Sequence, residues 1–207
     1  TVSPISDEIY VPEKPAKWVH INSVEEQLGY ISYDEASDTM TLKDCIGWAG
    51  RLINTEIDDI SGQNFAVEFD ANLGNEGIIG IMPFYEDAFK WYAVGYDMLG
   101  CRLDGVGIMG AKEDGTLNVI DELAYMDDTI YPAGGILVAP SIYGENVRLR
   151  AEFFLGSGGT MAGGTACYYY KVKGSDTWKT LGRFLLPDTI EDDPNVPNKL
   201  MIYGHLI

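Results

Sequence analysis

The sequence has few cations and no long apolar run. Lys and Arg total 14 against 32 Asp and Glu, so the formal net charge is −18 at pH 7. Nucleic acids and anionic membranes are bound through clustered Lys and Arg, so we expect neither partner. No apolar segment approaches the roughly 18 residues of a membrane-spanning helix. No basic-then-apolar segment opens the chain, which predicts a processed or cloned start at Thr1.

Cysteine and histidine are also scarce. The chain contains only Cys45, Cys101 and Cys167, together with His20 and His205. No pair among them has the spacing of a structural zinc site. The odd, widely spaced cysteines allow at most one disulfide, so we expect them to be mainly buried apolar fillers. The two histidines, one near each end of the chain, are expected to be structural.

Glycine and aromatic residues are plentiful, with 24 glycines and 12% aromatics. This composition suits a sheet protein with many turns. Short segments alternate apolar and polar residues with period two over most of the chain. The clearest segment turns Phe65, Val67 and Phe69 to one side and Glu68 and Asp70 to the other. Basic residues concentrate between 148 and 183, which predicts basic strands beside acidic ones.

The number and spacing of these segments predict the fold class. Ten or more short strands without a dividing linker favour an all-β protein, a single antiparallel two-sheet β-sandwich of the jelly-roll type over residues 18–207. Residues 1–17 contain three prolines and predict an extended N-terminal arm. Asp114-Gly115 lies between two alternating segments and predicts a hairpin. Residues 85–94 are ambiguous, because their acidic start could open a helix.

Six segments carry a resemblance to a known family. They are Phe65–Ala71, Gly77–Ile81, Phe89–Asp97, Gly115–Leu117, Val147–Glu152 and Tyr168–Gly182, the last with an aromatic strand, a Gly-Ser-Asp turn and a following Trp. Their order over roughly residues 60–185 resembles the concanavalin A-like jelly-roll modules of polysaccharide-degrading enzymes. The C-terminal sandwich domains of family 43 glycoside hydrolases are the nearest type. The resemblance implies a secreted or cell-surface, non-catalytic carbohydrate-binding module for a plant-type polysaccharide, acting as a monomer.

Sugar binding also fits the residue types. Sugar rings stack their apolar faces on aromatic side chains, while carboxylates, amides and arginine bind the hydroxyls. The candidate aromatic platforms are Trp48, Trp91, Tyr92, Tyr96 and Tyr143. The candidate polar partners are Arg51, Glu68 and Asp70. Strand phase makes Tyr92, Val94 and Tyr96 a core row, which predicts an outward, exposed Trp91. Trp178, beside a turn, is expected to plug the core.

An enzyme of the same fold is the alternative. Glu68 and Asp70 share one face of a strand, and jelly-roll glycanases of family 16 carry a related strand. Here Asn72 and Leu73 stand where that family places its last carboxylate. A polysaccharide lyase would need a Tyr or His base beside cations. An adhesion or purely structural sandwich is a further alternative. Carboxylate spacing and an exposed aromatic residue discriminate among these functions.

Paired acids in loop-like sequence are candidate calcium ligands. Calcium binds several oxygen atoms, and no twelve-residue EF-hand loop is present. The pairs are Asp58-Asp59, Asp127-Asp128 and Asp192-Asp193. Jelly-roll carbohydrate-binding modules often hold one structural calcium, so the resemblance implies that one can be present, although no cofactor is required. Residues 156–164, rich in glycine, lack the Lys-Ser/Thr of a phosphate loop and predict a loop between strands.

Overall fold

A computed structural model describes residues 17–20, 30–43, 50–74, 77–98, 101–123, 141–142 and 144–205. Within these ranges every regular element is a β-strand. Because no helix occurs in the described ranges, none of these residues forms a helical membrane span.

The strands are numbered in chain order. The first seven are β1 (Trp18–His20), β2 (Tyr30–Asp34), β3 (Thr39–Lys43), β4 (Gly50–Asn54), β5 (Phe65–Asn72), β6 (Ile78–Asp87) and β7 (Lys90–Asp97). The others are β8 (Arg102–Ala111), β9 (Leu117–Leu123), β10 (Asn146–Phe154), β11 (Thr165–Val172), β12 (Lys179–Leu185) and β13 (Met201–His205).

The strands form two main sheets. The seven-stranded sheet has the order β1-β4-β13-β6-β7-β8-β9, the four-stranded sheet has the order β12-β11-β10-β5, and β2 pairs with β3. Every pairing is antiparallel. The chain changes from one main sheet to the other after β4, β5, β9 and β12. The predicted all-β, antiparallel two-sheet sandwich is therefore confirmed, with the strand exchange between sheets that a jelly roll requires.

The main core lies between the two sheets. Tyr92 and Tyr96 of β7 are fully buried there, in one cluster with Leu149 and Phe153 of β10. The apolar residues of β5 pack against the same core, and the ring of Phe65 stacks on that of Phe153 with centroids 5.0 Å apart. The predicted phase of β5 is therefore confirmed. Period-two alternation sends every second side chain into the space between the sheets.

One tyrosine joins the sheets by hydrogen bonds. The pairing of β6 with β7 is irregular between Ile81 and Phe84. Tyr168, from β11 of the other sheet, accepts a hydrogen bond from the Ile81 amide at 3.3 Å and donates one to the Val94 carbonyl. Burial raises the pKa of this phenol. The hydroxyl satisfies two backbone groups inside the core, where a missing partner is costly.

Two turn predictions are settled by the hydrogen bonds. The Lys112 amide donates to the Thr116 carbonyl at 2.7 Å, and Gly115 between them has φ +84°, so the predicted hairpin joins β8 to β9. Residues 85–94 form the end of β6, a tight turn and the start of β7. The Asp87 carboxylate accepts the Phe89 amide at 2.7 Å. The acidic start therefore caps a turn and opens no helix.

The expectation that the cysteines are buried fillers is wrong for the two that the structure describes. Cys101 and Cys167 are free and half-buried. Cys101 lies in the turn after β7 with φ +47°, and its thiol donates to the Met98 carbonyl at 3.5 Å. Cys167 lies on β11 opposite Arg183, on the side away from the core. Strand phase and the turn, rather than apolar character, decide these positions.

Some predictions fall outside the described residues. These are the arm at residues 1–16 and the residues Cys45, Trp48, Asp127, Asp128 and Tyr143. His20 and His205 belong to β1 and β13, but their side chains are not described.

Candidate functional site

Four of the predicted ligand-binding residues lie on two opposite sides of the sandwich. Glu68 and Asp70 lie on the outer side of the four-stranded sheet, which we call the charged face. Arg51 and Trp91 lie on the outer side of the seven-stranded sheet, which we call the covered face because both residues are fully buried there. The two groups therefore cannot contact one sugar residue together.

The charged face is a ladder of alternating charges across strands. Arg148 of β10 stands opposite Asp70 of β5, and Arg150 stands opposite Glu68. Arg148 Nε lies 2.5 Å from Glu68 Oε1, and Arg150 Nη1 lies 3.0 Å from Glu68 Oε2. Arg150 Nε also lies 2.7 Å from Glu152 Oε1. The prediction that basic strands lie beside acidic ones is confirmed here.

Ion pairing sets the protonation state of Glu68. The hydrogen bond from Arg148 lowers the pKa of Glu68, and Glu68 in turn raises the pKa of Arg148. A general acid at neutral pH needs a raised carboxyl pKa. Glu68 is therefore held ionised and suits hydrogen-bond acceptance from a ligand, rather than proton donation.

An open cavity of 430 Å³ lies at one end of the charged face. Most of its lining side chains are polar or charged. They are Asp70, Asn72, Asn146, Arg148, Lys171, Lys173, Ser175 and Asp176, with Ala71, Val147, Val172 and Gly174 between them. Asn72 Nδ2 donates to Asn146 Oδ1 at 2.8 Å, which fixes both amides. The remaining amide, carboxylate, hydroxyl and ammonium groups can bind the hydroxyls of a sugar.

Trp178 stands beside this cavity, and its expected place in the core is wrong. The side chain is half-buried, and Lys171 Nζ lies 4.9 Å from the centroid of its ring. β12 begins at Lys179, so Trp178 precedes the strand and its core row of Leu181 and Phe184. The alternation of β11 places Lys171 outward beside the inward Tyr170.

The covered face carries a second apolar cluster. Arg51 and Trp91 are both 0% exposed, and the guanidinium carbon lies 5.2 Å from the centroid of the Trp91 ring. The ring of Trp91 lies 6.0 Å from that of Tyr203. Met82 and Met201 are fully buried in the same cluster. The structure therefore brings the predicted pair Arg51 and Trp91 together in an apolar environment.

The predicted exposure of Trp91 is wrong, although its strand phase is right. Tyr92, Val94 and Tyr96 face the main core, and Trp91 faces the opposite side of β7. That opposite side is buried as well. A strand buried on both faces reads as a continuous apolar run, and β7 has no polar residue between Lys90 and Asp97. The apolar run between Lys90 and Asp97 therefore indicates that both faces of β7 are buried.

Tyr92 and Tyr96 do not form aromatic platforms in this structure. Both are 0% exposed and belong to the core between the sheets. Burial is the main cause that raises the pKa of Tyr96. Of the other candidate platforms, Trp48 and Tyr143 lie outside the described residues.

Strand register places five residues of the covered face in one row. They are Arg51, Tyr203, Gly80, Gly95 and Asp104, on β4, β13, β6, β7 and β8. A Cβ atom on Gly80 would lie 2.5 Å from the Val94 carbonyl oxygen, so this close strand pairing requires glycine. Arg51 and Tyr203 therefore stand at one end of the row and Asp104 at the other. The two glycines between them have no side chain.

The far end of this row is acidic. Arg102 Nε lies 3.4 Å from Asp97 Oδ2 and 3.0 Å from Asp104 Oδ1. Burial raises the pKa of Asp104 to about 6, and the neighbouring Asp97 raises it further, against the lowering effect of Arg102. Asp104 is therefore a carboxyl group that can exchange a proton near neutral pH. Sequence reasoning missed it, because nothing in the local pattern marks this residue as half-buried.

Two of the paired acids meet at one buried asparagine. Asn198 is 1% exposed, its amide donates to Asp59 Oδ1 at 3.0 Å, and its Nδ2 donates to Asp192 Oδ1 at 2.9 Å. Its Oδ1 is buried and has no hydrogen-bond partner among the described residues. Asn198 therefore has an unpartnered side-chain oxygen and contacts two carboxylates through its nitrogen atoms. Amide and carboxylate oxygens are the kinds of ligand that calcium binds. No group of three or more His, Cys, Asp or Glu residues with metal-binding geometry occurs in the described ranges.

Comparisons with known proteins add one distant structural likeness. No protein-family model matches the chain, and no curated protein matches it. A solved structure titled as an engineered GH43 glycoside hydrolase, with both endo-xylanase and exo-arabinofuranosidase activity, is similar with a TM-score of 0.43 and 14% identity. The match covers 92% of this chain and 33% of that chain, so this protein spans about a third of that structure's length.

Proposed function

We propose that this protein is a non-catalytic carbohydrate-binding module that recognises a plant-type polysaccharide outside the cell, as a monomer. The observation that carries the proposal is the open, 430 Å³ polar cavity on the charged face. Trp178 stands beside the cavity and supplies an aromatic surface for a sugar ring. The resemblance of the strand order to jelly-roll modules agrees with this use.

The cavity is formed largely by regular structure, which favours binding. Its lining comes from β5, β10 and β11 and from the turn after β11. Arg148 is already held by Glu68 and Asp70, and Asn72 is held by Asn146. Side chains that are ordered before binding lose less conformational entropy when the ligand arrives.

The test is affinity electrophoresis in gels that contain a panel of neutral and acidic plant polysaccharides. We expect the protein to be retarded by at least one polysaccharide, and Trp178→Ala to weaken binding about tenfold, because one stacked aromatic ring carries much of the affinity. Phe89→Ala is the matched control, since Phe89 is an exposed aromatic residue, 44% accessible, in the turn between β6 and β7. Unchanged binding by the Trp178 variant would exclude this cavity as the site.

A glycoside hydrolase of the same fold is the second candidate function. Asp104 favours it, because a carboxyl with a pKa of about 6 beside Asp97 has the properties of a general acid. A reducing-sugar assay on every polysaccharide that binds discriminates the two functions. Release of sugar that is lost in Asp104→Asn would establish the enzyme, and binding without release would establish the module.

We also propose a structural calcium held by Asn198 Oδ1 with Asp59 and Asp192. The unpartnered oxygen of Asn198 supports this placement. Calcium should raise the melting temperature relative to EGTA, magnesium should raise it less, and Asp192→Asn should remove the difference. Equal melting temperatures of the unaltered protein in calcium and in EGTA would contradict the proposal.

A further inference from the structure

Arg51 presents buried hydrogen-bond donors that no described residue accepts. The side chain is 0% exposed, and Nε, Nη1 and Nη2 have no hydrogen-bond partner within the described part of the chain. A buried charge is costly unless it is paired and hydrogen-bonded. Arg51 therefore differs from Arg148 and Arg150, which have carboxylate partners on the charged face.

The neighbours of Arg51 meet only part of its bonding capacity. The Trp91 ring, 5.2 Å from the guanidinium carbon, provides a cation–π contact. An aromatic ring has no lone pair for the N–H groups, which lie in the plane of the guanidinium and point away from its faces. Tyr85 and Tyr203 are close enough to act electrostatically on Arg51. No described residue accepts a hydrogen bond from the edge of the guanidinium, where its donors lie.

The acids of the covered face lie at the opposite end of the row. Asp104 is four strands away from Arg51 in the row of paired residues. At a spacing of about 4.8 Å between strands, that is roughly 19 Å between the two backbones. Asp97 and Asp104 share Arg102 instead. No carboxylate of this row can therefore serve as the partner of Arg51.

The chemistry of the guanidinium edge selects the ligand class. Five N–H groups in a planar fork match the two oxygens of a carboxylate, which accepts two parallel hydrogen bonds. Neutral sugar hydroxyls do not supply the compensating charge. The chain has a net charge of −18 and repels anions at long range, so a carboxylate is favoured only by close contact with an unneutralised cation.

We propose that Arg51 anchors a second binding site, on the covered face, that takes the carboxylate of an acidic sugar such as a uronic acid. The carboxylate requirement follows from Arg51 alone, whereas the sugar part rests on the proposed function. Trp91 and Tyr203 flank the guanidinium with aromatic surface. Arg51 and Trp91 are both fully buried, so the experiment allows time for slow entry of the ligand.

The experiment measures thermal unfolding after overnight equilibration with sodium D-glucuronate, or with D-glucose plus sodium chloride at equal ionic strength. We expect glucuronate to raise the melting temperature with increasing concentration and glucose with salt to leave it unchanged. In Arg51→Lys the glucuronate affinity should fall about tenfold, because the point charge is kept and the fork is lost. In Arg51→Met the shift should disappear.

Two control variants show which site the glucuronate occupies. Arg150→Met removes an arginine of the charged face and should keep the full shift, and Trp178→Ala should keep it as well. Equal melting temperatures of the unaltered protein in the two solutions overturn the inference, and so does an undiminished shift in Arg51→Lys. A shift that is lost in Trp178→Ala assigns the carboxylate to the cavity and overturns the second site. Failure to bind polysaccharide in gels, with the glucuronate shift intact, would instead remove the proposed function and leave the carboxylate site.

Discussion

The arginines on the two outer faces of the sandwich differ in burial and in pairing. On the charged face, Arg148 and Arg150 are partly exposed and each lies within 3.0 Å of a carboxylate oxygen. On the covered face, Arg51 is fully buried and its nitrogens have no hydrogen-bond partner among the described residues. The charges on the charged face are accessible to water as well as ion-paired, so each ion pair contributes little to the stability of the fold. The buried charge has no carboxylate partner among the described residues, so a partner that reaches it would contribute more to stability.

The carboxyl groups of the two faces show the same contrast. Arg148 lowers the pKa of Glu68 on the charged face, whereas burial raises the pKa of Asp104 on the covered face to about 6. A lowered pKa favours the charged form and a raised pKa favours the neutral form. The two faces should therefore respond to pH with opposite signs.

The largest expected effect is that of Trp91→Ala. Trp91 is fully buried in the cluster with Met82 and Tyr203. Its removal leaves a large cavity and should lower the free energy of unfolding by about 3–5 kcal/mol in urea titrations. A variant as stable as the unaltered protein would show that the covered face does not contribute to the fold, and the contrast between the faces would fail.

The second effect is the pH dependence that Asp104 introduces. Its pKa of about 6 in the folded protein exceeds the ordinary aspartate value of about 3.9. The folded state therefore binds more protons than the unfolded state between these values, and stability falls as pH rises from about 4 to about 6. Asp104→Asn should match the unaltered protein near pH 4 and exceed it by about 1–2 kcal/mol near pH 8. A difference that does not change with pH would contradict the raised pKa.

A smaller effect is expected for Trp178→Ala. The residue is only half-buried, and Lys171 covers one side of its ring. Its loss should lower the free energy of unfolding by about 1 kcal/mol, because little apolar surface leaves the core. Urea titration beside Trp91→Ala makes the comparison direct, and a loss as large as that of Trp91 would mean that Trp178 is the core residue that its sequence position suggested.

The smallest effect is that of Glu68→Gln. The folded pKa of Glu68 lies below its ordinary value, so its contribution is present above the unfolded pKa and is lost as pH falls through the folded pKa. The variant should melt slightly earlier than the unaltered protein at pH 7 in low salt and together with it at pH 2 or in 1 M salt. A larger difference at pH 2 than at pH 7 would reverse the sign expected for this face.

Period-two alternation was sufficient to predict the sandwich and the phase of its strands. The inward rows of β5 and β7 lie where the pattern placed them, because one face of each strand must enter the core. The pattern could not report whether the other face meets water, which depends on contacts between segments distant in the chain. That is why Trp91 was predicted to be exposed and the pairing state of Arg51 was unknown. For Trp178 the local turn misled, because the strand begins one residue later.

Tyr168 has a mechanical consequence for the relative position of the two sheets. Its hydroxyl bridges the Ile81 amide and the Val94 carbonyl on the opposite sheet. Sliding one sheet past the other by a single residue, about 3.4 Å, would break both hydrogen bonds at once and leave two backbone groups buried without partners. The two hydrogen bonds therefore resist sliding of the sheets and keep the two outer faces in fixed relative position when a force acts on one of them.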